Sequence, residues 1–171
     1  MNGIVKIPIK DVTTLDFEPY GWVAGPQTEW TPVEENEIYK CWTAVSDIKF
    51  NEADIRLYEF PKRAFTFNWM ERHMNTYEVL IPFDSRPSLI GIAKSRKIED
   101  VEDVPYAEDV DLFFWNGKDI LILNKGIWHT APFPITPKIT YFVVIEKGTP
   151  TMDMIQKNFQ DGKKVEAIFP V

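Results

Sequence analysis

Apolar and polar residues alternate along much of the chain with a period of two, which is typical of β-strands. The clearest example is the run in which Phe65, Phe67 and Trp69 alternate with Thr66 and Asn68. The same period and short apolar runs predict further strands at Val79–Phe83, Ser88–Ala93, Asp111–Trp115, Asp119–Leu123 and Ile139–Glu146. With so many strands and little helix, we expect an all-β protein folded as a sandwich or a barrel.

Turn residues separate these predicted strands. The dipeptide Asn116-Gly117 lies between two apolar runs, where it is the strongest short signal for a β-hairpin. Helix is predicted only for a short turn that Thr13 or Thr14 caps and that runs through Phe17 to end at Gly21, and for Thr151–Phe159. The acidic stretch Glu99–Asp111 is expected to be a solvated excursion, because predicted strands flank it on both sides.

Length and composition limit the kinds of site that the chain can build. Its 171 residues suit one domain, which we expect to span 1–171. The single cysteine, Cys41, excludes an intramolecular disulfide and any site that needs two thiolates. Only two histidines are present, so one chain cannot build a three-histidine metal site.

The charge balance disfavours nucleic acid as a partner. Nineteen Lys and Arg stand against 26 Asp and Glu, which gives a net charge of −7 and no positive field to release counterions. No apolar run approaches the roughly 20 residues of a membrane span, and Met1–Lys10 has no secretory signal pattern. We therefore expect no membrane or nucleic-acid partner and a cytoplasmic location.

The first group of residues that could carry chemistry is Glu71-Arg72-His73, followed by Glu78. If the alternation continues from Phe65, Glu71 and His73 face the apolar side and Arg72 faces away from it. A carboxylate and an imidazole buried on an apolar face are costly unless they are paired or bound to a cation. The group then converges on a metal or a polar ligand inside a barrel. Alternatively, it is a surface cluster at a strand end.

The second group follows the strand that ends at Leu123 and contains the other histidine. Within it, Gly126 predicts a turn that swings Trp128 and His129 onto the next segment. Alternatively, this is an ordinary hairpin with an aromatic plug.

Taken together, the two groups resemble the two-part motif of the cupin superfamily. Glu71 stands where cupins carry their first histidine, His73 where they carry the second, and Glu78 where they carry a glutamate. The later Gly126 and His129 have the spacing of the second cupin motif.

The chain further resembles the ureidoglycolate lyase family, a branch of the cupins, over about its whole length. The matching stretches are Ile7-Pro8-Ile9, Phe17-x-x-Tyr20-Gly21-x-Val23, Met70–His73, Ile81-Pro82, Phe113-x-x-Asn116-Gly117, Trp128-His129 with Pro132, and Thr140–Ile145. This resemblance implies a single-domain jelly-roll β-barrel with short peripheral helices. It also implies a lyase that cleaves ureidoglycolate, a small hydroxy acid, to glyoxylate and urea in allantoin and purine catabolism.

The resemblance implies a divalent metal ion, which is nickel, manganese or zinc, held by His73, Glu78 and His129. The two histidines would then serve catalysis together with Glu71, which acts as the base or as a fourth ligand. A cation, Lys125 or Arg72, would anchor the substrate carboxylate.

Aromatic side chains would line the pocket and bind the substrate, or simply pack in the core. These residues are Phe67, Trp69, Trp128 and Tyr141.

Two other functions fit the same residues. One is a cupin enzyme acting on another small hydroxy acid or sugar acid, and the other is a barrel that binds a small acid without catalysis. We expect a homodimer, because barrel-like sandwiches of this kind commonly pair through sheet edges.

Overall fold

The computed structural model describes residues 3–25, 31–43 and 48–169, and it confirms the all-β class. The strands are β1 (Ile4–Asp11), β2 (Gly21–Ala24), β3 (Glu34–Glu35), β4 (Lys40–Cys41), β5 (Ala53–Pro61), β6 (Thr66–Phe67), β7 (Trp69–Arg72), β8 (Glu78–Pro82), β9 (Ser88–Ala93), β10 (Asp111–Trp115), β11 (Ile120–Leu123), β12 (Trp128–His129), β13 (Phe133–Pro134), β14 (Lys138–Glu146), β15 (Ile155–Asn158) and β16 (Lys164–Ile168). The helical turns are α1 (Thr14–Phe17), a 3₁₀ turn (Ala107–Asp109) and α2 (Thr149–Met152). Among these residues, no helix has the length and apolar character needed to cross a membrane.

Two sheets face each other in the cupin-type jelly-roll architecture that the sequence predicted. The larger sheet has the order β15-β7-β12-β9-β10-β1-β16-β6, with β13 also paired to β9. The smaller sheet has the order β2-β11-β8-β14-β5, and β3 pairs with β4 separately. The strands β7 and β12 are therefore neighbours in the larger sheet, while β8 belongs to the smaller one. This arrangement positions the two groups of candidate residues.

The main core fills the space between the two sheets. At its centre, Trp115 of β10 stacks on Tyr141 of β14 with ring centroids 4.9 Å apart, and both side chains are fully buried. Leu80, Val143 and Ile145 belong to the same core and also line a cavity. The cavity is thus an extension of the space between the sheets.

A second core covers the outer face of the larger sheet, and it corrects one prediction. The acidic stretch 99–111 is not simply a solvated excursion, because Asp103, Ala107 and Val110 are buried. Ala107 and Val110 pack with Met70 of β7 and Trp128 of β12. Strands of the larger sheet carry apolar side chains on both faces, and this segment shields the outer one from water.

The Asn116-Gly117 dipeptide does not form the predicted hairpin. It does form a tight connection, but β10 pairs with β1 and β9, while β11 pairs with β2 and β8. The turn therefore crosses from one sheet to the other. Turn residues specify a chain reversal, whereas the faces buried by each strand decide which sheet it joins.

The helix predicted over 151–159 is also wrong. Only the short α2 is helical there, and β15 pairs antiparallel with β7, with Gln156 opposite Glu71. Pairing along the edge of β7 satisfies backbone groups that this short segment could not satisfy as an isolated helix.

The alternation that starts at Phe65 breaks at Asn68. Before the break, β6 pairs with β16, and after it β7 pairs with β12 and β15. Phe67 consequently packs with Met70 in the second core instead of lining the cavity, whereas Trp69 lines the cavity. The change of strand partner thus reverses the faces that strict alternation predicts.

Candidate metal and catalytic site

A cavity of about 240 Å³ lies between the two sheets. Its lining residues are Tyr58, Phe60, Trp69, Glu71, His73, Glu78, Leu80, His129, Thr130, Ala131, Pro132, Val143, Ile145, Pro150 and Met154. Most of these side chains are apolar, and the acidic and basic residues among them are two histidines and two glutamates. The cavity therefore concentrates acid, base and ligand groups in an apolar surrounding.

Three side chains from three different elements meet in this cavity. His73 follows β7, Glu78 begins β8 and His129 ends β12, and one ligand atom of each lies within 4.8 Å of the other two. The distance from Glu78 Oε2 is 2.9 Å to His129 Nε2 and 3.6 Å to His73 Nε2. The structure therefore brings together the three residues that the resemblance implied as metal ligands.

Backbone carbonyls orient both imidazoles toward Glu78. His73 Nδ1 lies 3.0 Å from the carbonyl oxygen of Asp153, and His129 Nδ1 lies 3.0 Å from that of Ile127. A carbonyl only accepts hydrogen bonds, so we assign a proton to each Nδ1. In the neutral rings each Nε2 then has a free lone pair, which is the arrangement found in metal-bound histidines.

Two buried polar atoms of the site lack a well-aligned partner among the described residues. Glu78 Oε2 and His129 Nε2 are 2.9 Å apart, yet neither makes a hydrogen bond of good geometry. We therefore treat this contact as a charge pair rather than a hydrogen bond. A cation between the three side chains would satisfy both atoms, and the mixed nitrogen and oxygen donors suit nickel, manganese or zinc.

The electrostatics of the site in the absence of a cation follow from the same contacts. Burial lowers the pKa of His129, but the carboxylates of Glu78 and Glu71 outweigh it and raise that pKa to about 9. Burial likewise opposes ionisation of Glu78, yet the neighbouring His129 and His73 lower the pKa of that carboxyl overall. The site therefore favours positive charge on His129 and negative charge on Glu78.

A second carboxylate lies next to the triad. Glu71 Oε1 is 3.9 Å from His129 Nε2, and its other oxygen accepts a 3.0 Å hydrogen bond from the Gln156 amide. This position fits either role predicted for Glu71, the base or a fourth ligand. Trp69, predicted to bind substrate, stands at the cavity edge with 40% of its surface exposed.

Arg72 and Trp128 lie behind the cavity, contrary to their predicted place at the substrate. Each precedes a site histidine in the chain, so strand alternation turns it to the opposite face. The Arg72 guanidinium packs 4.7 Å over the Trp128 ring, and both contact the Asp103 carboxylate. They support the site from the second core and do not reach the cavity.

Lys125 and Tyr141 also lie outside the cavity. Lys125 is exposed, and its Nζ stands 5.2 Å from the centre of the Tyr77 ring. Tyr141 is fully buried in the main core, where its hydroxyl shares a 2.7 Å hydrogen bond with Ser88 Oγ. Tyr141 is therefore held in the main core, whereas Lys125 lies in an exposed turn that directs its side chain to the surface.

Asp153 is a site residue that the sequence did not reveal. Its carboxylate accepts hydrogen bonds from the backbone N–H groups of Met74 (2.9 Å) and Asn75 (2.8 Å), and its own carbonyl holds His73. These contacts fix the turn after β7. Because Asp153 lay inside the predicted helix, no pattern in the sequence indicated this role.

Gly126 joins the two histidine-bearing segments. Its N–H donates to the His73 carbonyl at 2.6 Å, and its φ is +74°. A Cβ here would lie 2.7 Å from Ile98 Cγ1 and would require a left-handed conformation that glycine adopts readily. The predicted turn at Gly126 therefore sets the separation of His73 and His129.

The sequence matches a known protein family over most of its length. The sequence model of the family described as Ureidoglycolate lyase matches residues 4–166. A ureidoglycolate lyase from Pseudomonas savastanoi pv. phaseolicola is 25% identical over 150 residues, which cover 84% of this chain and 84% of that protein. A ureidoglycolate lyase from Pseudomonas syringae pv. syringae is 29% identical over 83 residues, which cover 48% of this chain and 45% of that protein.

The chain is also similar to solved structures at low identity. A mutant of the 3,4-ketoisomerase QdtA from Thermoanaerobacterium thermosaccharolyticum has a TM-score of 0.43 and 15% identity, covering 78% of this chain and 84% of that chain. RmlC from Streptococcus suis has a TM-score of 0.39 and 8% identity, covering 67% of this chain and 61% of that chain.

The family match spans both histidine-bearing segments and nearly all of the sequence. Both curated relatives carry the same name as the family. The chain is a lyase and belongs to the ureidoglycolate lyase family.

Proposed function

We propose that this enzyme cleaves ureidoglycolate to glyoxylate and urea, in the cytoplasm and as a step of allantoin and purine catabolism. The observation that carries the proposal is the convergence of His73, Glu78 and His129 within 4.8 Å. It occurs in a cavity of about 240 Å³ that also holds the carboxylate of Glu71. The family membership of the chain supports the same reaction.

The residues present fit a divalent cation, with His73, Glu78 and His129 as its ligands. Such a cation, when bound, would attract the hydroxyl and carboxylate oxygens of the substrate and lower the pKa of that hydroxyl.

Glu71 is placed to move the proton. Its carboxylate accepts the proton of the substrate hydroxyl, and the electrons of the O–H bond form the carbonyl of glyoxylate. The C–N bond breaks, its electron pair stays on the urea nitrogen, and that nitrogen takes the proton from Glu71. The hydrogen bond from Gln156 keeps one oxygen of Glu71 occupied and leaves the other near His129. No water is consumed, so the reaction is an elimination.

The apolar walls strengthen these interactions. Leu80, Val143 and Ile145 line the cavity beside Glu78, and all three are buried. Excluding water from this side lowers the local dielectric, so charges in the site act on the substrate more strongly than they would in water.

Metal analysis and a glyoxylate assay test the proposal together. We expect protein purified without chelators to hold about one divalent ion per chain and to release glyoxylate from ureidoglycolate. Adding nickel or manganese to metal-free protein at 100 times its Kd should stabilise the fold by about 2.7 kcal/mol, seen as a raised melting temperature.

The other outcomes separate the alternatives. Metal without glyoxylate release would indicate an enzyme for another hydroxy acid or a sugar acid. Absence of metal, of thermal stabilisation and of glyoxylate would leave only a non-catalytic acid-binding barrel, and the proposal would be wrong.

We also propose that the enzyme is a homodimer joined through β5. In the part of the chain that the structure describes, this nine-residue strand forms one edge of the smaller sheet and pairs only with β14. Its outer face exposes Ile55 (72%) and Leu57 (62%). Pairing with the same strand of a second copy would satisfy the free backbone groups and cover both side chains.

Sedimentation velocity tests the dimer. We expect the wild type to sediment at twice the chain mass of 19.9 kDa, and Leu57→Lys to sediment as a monomer because a charge would be buried at the joint. Ile38→Lys is the matched control, since Ile38 is 91% exposed but lies away from β5. A monomeric wild type, or dissociation of both variants alike, would exclude β5 as the dimer interface.

A further inference from the structure

The described lining of the cavity has no lysine or arginine for a substrate carboxylate. Its acidic and basic residues are the two histidines, Glu71 and Glu78. Lys125 and Arg72, which the sequence suggested as anchors, lie outside the cavity. An anionic substrate that approaches two glutamates needs a compensating positive group besides the metal.

Arg56 does not itself line the cavity, but it lies on the same face of β5 as two residues that do. The burial of β5 alternates, so that Asp54, Arg56, Tyr58 and Phe60 share the half-buried inner face. Tyr58 and Phe60 line the cavity directly. Arg56 is the next residue along this face.

The register of the smaller sheet places Arg56 level with the cavity wall. Arg56 lies opposite Val143 of β14, and Val143 lies opposite Leu80 of β8. Both of these neighbours line the cavity, and Glu78 lies two residues from Leu80 on the same face. Adjacent strands are about 4.8 Å apart, so Arg56 begins only about 10 Å from the strand that carries Glu78. An extended arginine and a small hydroxy acid together can bridge this gap.

The guanidinium of Arg56 has donor capacity to spare. Its Nη2 donates to Asp54 Oδ2 at 2.9 Å, while its Nε is buried without a hydrogen-bond partner in the described residues. Arg63, also near the cavity, differs because its Nη atoms donate to the carbonyls of Pro132 (2.8 Å) and Ala131 (2.7 Å). Both Nη atoms of Arg63 are therefore occupied by backbone carbonyls of the cavity wall, whereas Arg56 has donors left for a ligand.

We propose that Arg56 binds the carboxylate of the substrate and so selects small 2-hydroxycarboxylates. The inference rests on the proposed function for the identity of the substrate. The planar guanidinium matches a carboxylate with two parallel hydrogen bonds. With the carboxylate held at β5, the rest of the molecule extends toward Glu71 and the triad.

Steady-state kinetics of Arg56→Gln and of the charge-retaining Arg56→Lys test the inference. We expect Arg56→Gln to raise KM for ureidoglycolate about 10- to 100-fold, as loss of a hydrogen bond to a charged group does, with kcat within about threefold of wild type. The KM of Arg56→Lys should fall between those of wild type and Arg56→Gln, because lysine keeps the positive charge but lacks the planar guanidinium that makes two parallel hydrogen bonds. Lys138→Gln is the matched control, since it removes a cation that pairs with Glu59 on the same two strands.

A second substrate separates binding from a merely structural role. With the carboxamide analogue of ureidoglycolate, wild type and Arg56→Gln should have similar KM values, because no carboxylate is left to bind. The inference would be overturned if Arg56→Gln and Lys138→Gln had equal KM values for ureidoglycolate. It would also be overturned if Arg56→Gln raised KM equally for ureidoglycolate and for the carboxamide analogue.

Calorimetry with glycolate distinguishes this failure from failure of the proposed function. If wild type releases no glyoxylate but binds glycolate in an Arg56-dependent way, the proposed reaction is wrong while the assignment of Arg56 stands. If Arg56→Gln binds glycolate as tightly as wild type, the assignment is wrong.

Discussion

His129→Ala is expected to lose divalent metal and glyoxylate release together while keeping the fold, and His73→Ala should behave in the same way. Both imidazoles direct Nε2 at Glu78, so each variant removes one of the three proposed ligands. Mutating an outer-shell partner alone typically costs 10- to 100-fold in metal affinity, and we therefore expect a loss of more than about 100-fold here. Metal content, calorimetric metal titration and the glyoxylate assay measure the two losses.

The fold should survive these substitutions because the site is not the main core. Glu78 loses the nearer of its two histidine partners in His129→Ala, but a carboxyl in an apolar surrounding can take up a proton instead of remaining charged. Near-ultraviolet circular dichroism checks that packing is intact. Cys41→Ala is the control, since this thiol is exposed and belongs to β4. Full activity in either histidine variant, or an equal loss in Cys41→Ala, would refute the site.

Asp103→Ala is expected to destabilise the fold strongly although Asp103 lies outside the cavity. Arg72 is fully buried, and Asp103 Oδ2 lies 3.6 Å from its Nη1 and accepts a 3.1 Å hydrogen bond from Trp128 Nε1. Removing the carboxylate takes away the larger of the two countercharges of a buried guanidinium, Asp103 and Asp100, and breaking a buried ion pair in this way costs about 3–5 kcal/mol. For a domain of this size, the melting temperature should fall by roughly 6–20 °C. Urea unfolding and thermal melts measure both quantities.

Two controls show whether the lost countercharge is the cause. Glu102→Ala removes the neighbouring carboxylate, which is 77% exposed and pairs with Lys157, and should cost less than about 1 kcal/mol. The double variant Arg72→Met with Asp103→Leu should recover most of the lost stability, because well-packed apolar residues can replace a buried ion pair. Equal losses in Asp103→Ala and Glu102→Ala would show that the buried pair has no special role.

The strand positions were predictable because period two is a property of neighbouring residues. Ser88–Ala93 and Asp111–Trp115 have the predicted bounds, and Ile139–Glu146 begins one residue earlier, at Lys138. The triad could be located because cupin-like motifs keep ligands at fixed spacings around strand ends. The same rules did not predict which neighbouring side chains line the cavity. Trp128 and Tyr141 were expected there but lie outside it.

The failures have a common physical origin in contacts between distant residues. Asp153 holds a histidine 80 residues earlier in the chain, and Arg56 lies opposite the cavity-lining Val143 only through the pairing of β5 with β14. Asp103 lies in an acidic stretch whose sequence predicts a solvated segment. In the structure this stretch covers an apolar face of the larger sheet. Local composition carries no information about such partners.

From the sequence alone came the all-β class, the strand segments and the exclusion of disulfide and three-histidine sites, because each depends on residue type and local spacing. The candidate metal ligands came from the family resemblance. The tertiary structure decided that β10 and β11 enter different sheets, that the chain reverses its faces at Asn68, and that Arg72 lies behind the cavity wall. These outcomes depend on which apolar faces are buried against each other, and that choice is made by the whole chain at once.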